Sequence, residues 1–371
     1  MRHALGSSTA ELGEWQSHSL PYHSVLPGRI LARVTGLAVV DTHEAVPWSS
    51  VVKIIRQTAP DEFGEIATGT REILAYRSGL LADLPGQLRA PRLIDIDEDD
   101  AAVWLWLEDL KDVYARRWPL EQFGLAARHL GQFNGAYLVS RAPPTDPWLN
   151  YWLSRHQAKL HAGLERSPTY WELRQVVRHP RVQHLLGASI ASRTARLLSD
   201  QSQFVDALAQ LPQTLCHHES SLANLFAVRR LDGQLETVAV DWEQVGPASA
   251  GADISTLVFG TMRRCEFDAE RATELDKTVF TGYVAGLREA GWQGRVEEIR
   301  LGFTAAVGLR WTVLAGILQG LVEGAPQVQR PSQGWQVARE AVVRQYVRLS
   351  GYLLDRADEA HSLLADMPSS H

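Results

Sequence analysis

Residues 216–243 read CHHESSLANLFAVRRLDGQLETVAVDWE. Two apolar runs, residues 224–228 (NLFAV) and 237–240 (TVAV), flank Leu231, Asp232 and Gly233, and Asp-Gly between apolar runs predicts a β-hairpin. Polar residues stand at both ends of that hairpin. His217, Glu219 and Asn224 lead into the first strand, and Asp241 and Glu243 follow the second. A ribbon of this kind gathers such groups at one end. Asn224 and Asp241 offer an amide oxygen and a carboxylate, hard donors suited to Mg2+, which binds few protein oxygens and keeps waters and substrate phosphates. Glu219 could accept a proton from a hydroxyl. His217 and His218 taken singly read as satisfied structural histidines.

Toward the amino terminus the pattern is β-rich. Residues 29–41 (RILARVTGLAVVD) and 48–55 (WSSVVKII) are enriched in β-branched residues and predict a pair of strands. In residues 61–84, Ile66, Ile73, Leu74, Tyr76, Leu80 and Leu81 recur at roughly helical spacing until Pro85-Gly86 stops them. Residues 92–96 and 103–107 predict two more strands around the acidic turn 97–100. The result is a small, mostly antiparallel sheet carrying one helix.

Within it Lys53 stands among four β-branched neighbours, Val51, Val52, Ile54 and Ile55. The chain has 33 Arg and only four Lys, at positions 53, 111, 159 and 277, so a lysine here is a departure from its own habit. An ammonium on a half-buried strand is costly unless it meets water or an anion. A snorkelling lysine on an edge strand satisfies that condition, and so does a lysine facing phosphate with Glu72 as its partner.

After Leu110 the chain changes character. Residues 120–140, 148–164, 183–211, 268–290, 296–321 and 335–360 carry apolar residues three and four apart and predict helices. The first 24 residues or so and the tail after Ala360 read as loosely structured. Composition narrows the function. Among 371 residues, 43 acidic against 37 basic give a net charge of −6 with no long run of one sign, which argues against nucleic-acid binding. Cys216 and Cys265 form no metal or disulfide pattern, so a reducing, cytoplasmic setting is expected. The amino-terminal segment lacks the apolar core of a secretory signal. Residues 301–322 are cut by Arg310 and fall short of a membrane span.

With these motifs in order, the chain resembles the aminoglycoside phosphotransferase and choline kinase-like family, a branch of the protein-kinase-like fold. His217, Glu219 and Asn224 are similar to its catalytic-loop H-G-D-x4-N, Asp241-Trp242 to its metal motif, and Asp253, in Gly251-Ala252-Asp253-Ile254, to its further Asp about a dozen residues on. V-V-K-I-I around Lys53 looks like the nucleotide-anchoring strand, Glu72 like its helix partner, and Leu107, Glu108 and Asp109 like the hinge whose backbone reads adenine. The resemblance implies an α+β chain: an extension over residues 1–25, a β-rich nucleotide-binding lobe over 26–110, a helical lobe over 111–360 and a flexible tail over 361–371.

It also implies an ATP- and Mg2+-dependent transfer of phosphate to a small-molecule hydroxyl, with no nucleic-acid or membrane partner. Lys53 would hold the nucleotide phosphates, Asn224 and Asp241 the metal, and Glu219 the acceptor hydroxyl, with His217 supporting the loop. Two departures mark this chain. Between Arg33 and Val40 only Gly36 is available for a phosphate loop, and Glu219 and His218 stand where the family has Asp and Gly. The longer Glu carboxylate keeps a second reading open, a nucleotide-binding protein with impaired turnover. Nucleotidyl transfer, with ATP reversed, is a third. Trp148, Tyr151, Trp152 and Trp311 are candidates to line the acceptor site or to belong to the core.

Overall fold

The computed structural model describes residues 11–20, 29–39, 45–56, 69–153, 160, 162–324 and 339–366. The chain divides into two compact units, one of Met1–Leu84, Arg89–Ala115 and Phe226–Glu243, the other of Pro85–Leu88, Arg116–Leu225 and Gln244–His371.

The first unit is built on strands β1 (Glu11–Ser19), β2 (Arg29–Val39) and β3 (Ala45–Arg56). The short β4 (Leu88–Arg89) precedes β5 (Leu93–Glu98) and β6 (Ala102–Glu108). The five longer strands form one antiparallel sheet in the order β1-β2-β3-β6-β5. Lys53 pairs with Leu31 on one side and Leu105 on the other. It therefore lies on the middle strand, where an edge-strand escape into water is closed to it. Strand β1 corrects the expectation of a loose amino-terminal segment: Ser17 and Ser19 pair with Val34 and Ala32, an edge strand held by ladder hydrogen bonds that its polar sequence does not advertise.

Gly36 lies inside β2, opposite Trp48, so it is a strand residue; positions 40–44 fall outside the described residues. The helix expected over 61–84 is shorter where it is described. Helix α1 spans Thr70–Arg77, and the Ser78 N–H closes it on the Leu74 carbonyl at 2.8 Å. Ile66 lies outside the described residues, and Leu80 and Leu81 follow the helix. The quoted hairpin forms as β8 (Leu225–Arg229) and β9 (Leu235–Ala239), with β4 completing a three-stranded sheet in the order β4-β9-β8.

The second unit is mainly helical. Helix α2 (Leu120–Val139) packs on α7 (Ala272–Glu289), and between them in sequence come α3 (Pro168–Val176), α4 (Pro180–Leu186), α5 (Ile190–Ser199) and α6 (Gln201–Gln210). At the crossing of α2 and α7 a Cβ on Gly286 would overlap the Arg128 carbonyl oxygen, so glycine sets how closely the helices approach. Phe123, Leu130, Phe133, Tyr283 and Leu287 are almost fully buried there, each contributing about 1.5–3 kcal/mol by leaving water.

Two expectations change. Residues 183–211 form pieces of three helices, broken at Gly187 and Asp200. The stretch 296–321 is two helices, α8 (Val296–Gly308) and α9 (Trp311–Glu323), bent by 43° around Arg310; α10 (Arg339–Ala365) follows. Of the expected helix 148–164, residues 154–159 and 161 lie outside the described residues. Among the described residues no single helix is long and apolar enough to cross a membrane. Two short strands absent from the sequence reading, β7 (Gln213–Cys216) and β10 (Gly246–Ser249), pair antiparallel, with Cys216 opposite Gly246. They launch the segment 217–224 from a fixed base.

Candidate functional site

The first unit holds one of the two groups of candidate residues. Lys53 Nζ donates to Glu72 on α1 and, at 2.6 Å, to Asp241. The Lys53 and Glu72 side chains are 5% and 2% exposed, while Asp241 is 22% exposed. Asp241 has a positive φ of 63°, a backbone state that Asp adopts more readily than most residues. The Trp242 N–H donates to the other Glu72 oxygen at 3.3 Å. Glu72 thus fixes both the lysine and the chain that carries Asp241.

Glu243, quoted in the sequence but given no role there, proves central. Its carboxylate accepts from the Gly69 N–H at 2.8 Å and the Glu72 N–H at 3.3 Å, and lies 3.8 Å from Arg29 and 4.0 Å from Arg71. It satisfies the open amides at the start of α1, where a carboxylate is favoured, and so aims Glu72. Burial raises its pKa above the ordinary carboxylate value, against the lowering effect of the Gly69 amide and Arg29. Three cations, Lys53, Arg29 and Arg71, face three carboxylates, Glu72, Asp241 and Glu243, so the centre is close to neutral.

Leu107 and Glu108 end β6. The Ser50 hydroxyl donates to the Leu107 carbonyl at 3.0 Å, and the Glu108 N–H to the Arg92 carbonyl at 3.0 Å. The Glu108 carboxylate binds Arg89 at 2.7 Å, and Asp109 takes the Arg33 guanidinium at 2.9 and 3.0 Å. The side chains of this segment are spent on arginines, and any ligand reading there falls to the backbone.

The second group belongs to the helical unit. The Asp253 carboxylate accepts the His217 N–H at 3.0 Å and the His218 N–H at 2.8 Å, and its carbonyl accepts the Ser220 hydroxyl at 2.7 Å. Asn134 reaches the same carboxylate at 3.4 Å and is itself held by Tyr283 at 2.8 Å. Gly251, at φ 93°, turns the chain into Asp253 where a Cβ would strike the Ile299 carbonyl. The segment closes on itself: the Glu219 N–H donates to His217 Nδ1 at 3.2 Å, and Asn224 Nδ2 donates to the Glu219 carbonyl at 3.0 Å.

His218 has φ 66°, a left-handed state that suits glycine. Burial depresses its pKa to about 4, so its ring is neutral near pH 7. The buried run 252–263, which the sequence did not predict as helix, supplies Asp253 and Thr256.

Glu219 and His218 line a pocket of about 220 Å³ inside this unit, together with Asn150, Trp152, Gln244 and Arg310. Trp152 meets His218 edge-on at 5.8 Å. Of the four aromatic candidates Trp152 alone lines this pocket; Trp311 is buried in the core, and the Tyr151 hydroxyl donates to the Asp146 carbonyl. Arg310 entered the sequence reading only as a break in an apolar run.

Thus Lys53, Glu72 and Asp241 come together in one unit, and His217, Glu219, Asn224 and Asp253 in the other. The chain matches the crystal structure of an aminoglycoside phosphotransferase from Alicyclobacillus acidocaldarius, at 14% identity and a TM-score of 0.52, over 90% of this chain and 91% of that one. It also overlays on an amicoumacin kinase at 13% identity and a TM-score of 0.48, covering 92% and 88% of the two chains. No family model matches, and no curated protein sequence matches. The chain has the α+β protein-kinase-like fold of the aminoglycoside phosphotransferases, as the resemblance implied.

Proposed function

We propose that this protein is an ATP-dependent phosphotransferase acting on a hydroxyl of a small molecule. The observation that carries the reading is Lys53, an ammonium on a central strand held between Glu72 and Asp241. Such an ammonium is placed to exchange part of its carboxylate contact for phosphate oxygens when nucleotide binds. Glu72 orients it, Glu243 positions Glu72, and the backbone of Leu107, Glu108 and Asp109 reads the base.

By the resemblance, Asn224 and Asp241 would each lend an oxygen to a magnesium ion that arrives with the nucleotide. Both are hard oxygen donors, of the kind magnesium takes in small number alongside waters and phosphate oxygens. The metal, when bound, supplies neutralisation of phosphate charge. Glu219 takes the acceptor hydroxyl: its oxygen forms the new P–O bond as the bond from the γ-phosphorus to the β–γ bridging oxygen breaks. The proton passes to the Glu219 carboxylate and ADP departs. Such chemistry depends mostly on positioning and charge stabilisation. His217 holds the Glu219 amide, and Asp253 clamps the loop.

One observation favours the second reading, nucleotide binding without efficient turnover. Glu219 is one methylene longer than Asp, and a misplacement of about 1 Å can cost roughly 10²-fold in rate. The experiment is Mg2+-dependent ATP consumption over a panel of alcohols, with the product weighed by mass spectrometry. Asp241→Ala is expected to abolish turnover, and unchanged turnover removes the proposed metal role. If Glu219→Asp lowers an existing activity, Glu219 is a working base; if it creates one, the binding reading wins. An added AMP in place of phosphate would identify nucleotidyl transfer.

A further inference from the structure

Several arginines of the helical unit have carboxylate partners. Arg300 pairs with Asp276 at 2.5 Å and Glu359 at 2.6 Å, Arg356 with Asp276 at 2.7 Å, Arg193 with Asp355 at 2.7 Å, and Arg128 with Glu289 at 2.5 Å. Arg310 does not follow them. Its Nη2 donates to the hydroxyls of Ser255 at 3.1 Å and Thr256 at 2.7 Å, its guanidinium lies 5.8 Å from the Phe259 ring, and its Nε is buried with no partner. Among the described residues no carboxylate lies within 4.0 Å of it. Burial and the nearby Arg263 both act to lower its pKa, to about 10, so it stays charged near pH 7; Glu219, on the same pocket wall, acts in the opposite sense.

A largely desolvated guanidinium without a counter-ion is costly, and this one stands where the bend between α8 and α9 delivers it to the pocket. The other polar groups lining the pocket are the neutral ring of His218, the amides of Asn150 and Gln244, and the carboxylate of Glu219, which makes no ion pair with Arg310. We propose that Arg310 is the recognition residue for an anionic group on the acceptor, so that the substrate is a small hydroxycarboxylate or a like hydroxylated anion.

The inference rests on the phosphotransferase reading, in which Glu219 receives the hydroxyl. Size agrees with it. A cavity of about 150 Å³ holds benzene, so one of about 220 Å³ suits a molecule of roughly eight or nine heavy atoms. The Thr256 hydroxyl, which accepts from Arg310, donates to the His218 carbonyl at 2.9 Å. The anion site and the loop bearing Glu219 are therefore tied through one side chain.

The test uses the full chain with ATP and Mg2+ and three acceptors: threonate, its carboxylate-free counterpart threitol, and the cationic 2-aminoethanol. Threonate is expected to exceed the other two in kcat/KM by roughly 10- to 100-fold, the range for a hydrogen bond to a charged group. Arg310→Gln should raise the KM for threonate until that preference collapses, and Arg310→Lys should restore part of it. A wild-type preference for threitol or 2-aminoethanol overturns the inference. So does an Arg310→Gln variant that loses all acceptors in equal measure, which marks Arg310 as a structural support of Ser255 and Thr256. If ATP binds and no acceptor is phosphorylated, the phosphotransferase reading fails. Calorimetric titration of threonate then decides the anion site by itself: binding that Arg310→Gln weakens sustains it, and no binding to the native chain removes it.

Discussion

The two groups of candidate residues are built on opposite electrostatic plans. Around Lys53 the partners are ions: three cations and three carboxylates neutralise one another in a buried network. Around Asp253 a single carboxylate gathers neutral donors, the amides of His217 and His218 and the side chain of Asn134. On the proposed function the first arrangement is exchangeable, because an incoming phosphate or metal would replace one ion of a pair with another. The second is a clamp, because each bond fixes backbone and nothing in it gains from a ligand. On that reading, binding and positioning are assigned to different physics.

The largest expected effect tests the ionic plan. Lys53→Met leaves Glu72 buried beside Asp241 without their cation and should lower stability by about 3–5 kcal/mol in urea unfolding. A Lys53→Met, Glu72→Leu double variant should recover much of that, since apolar replacement of a whole buried pair is tolerated, while nucleotide affinity stays lost. If the double variant is no more stable than the single one, the network is not a set of exchangeable pairs.

Next in size, Asp253→Asn replaces one accepting oxygen with an NH2 donor that faces a backbone N–H. A loss of about 3 kcal/mol in stability and roughly 10²-fold in turnover is expected, with ATP affinity near that of the native chain. An equal loss of ATP affinity would erase the distinction between the two groups.

The smallest effect is a difference in pH dependence. His218 is depressed from 6.5 to about 4 by burial, so between those values the unfolded chain binds more protons and stability falls as the solution is acidified. The loss is at most about 3 kcal/mol at 1.36 kcal/mol per unit, and His218→Asn, which tolerates the left-handed backbone, should flatten it in thermal unfolding. Glu243 has the reverse sign. Its raised pKa leaves the folded chain with more proton just above the ordinary carboxylate value, and stability falls there as pH rises. Glu243→Gln should therefore steepen the gain in stability with pH, and a change in the same sense from both variants contradicts the opposed environments.

Much of the ionic group was legible in one dimension. A lysine among β-branched residues, in a chain that otherwise prefers arginine, announces an unusual environment, and Asp-Gly between apolar runs announces the hairpin before Asp241. Glu243 was not legible, because its task is to accept amides 171 and 174 positions away, and no local pattern encodes that distance. Strand β1 was missed for a similar reason: its edge position lets it keep a polar sequence, and pairing with β2 supplies what composition does not. Arg310 was visible as an interruption of an apolar run, yet 296–321 still read as one helix, because periodicity cannot tell an exposed break from one turned into a pocket.

By itself the sequence determined the order of the longer elements, the β-rich and helical character of the two parts, and the residue types able to carry phosphate, metal and proton chemistry. Those properties follow from local propensity and from side-chain pattern along one element. The tertiary structure alone decided which carboxylate would meet Lys53, that Asp253 would seize two successive backbone amides, and that Arg310 would have no ion-pair partner among the described residues. Partners of that kind are fixed by packing between segments far apart in the chain, where the cost of burying an unpaired charge selects among contacts that sequence leaves equally open.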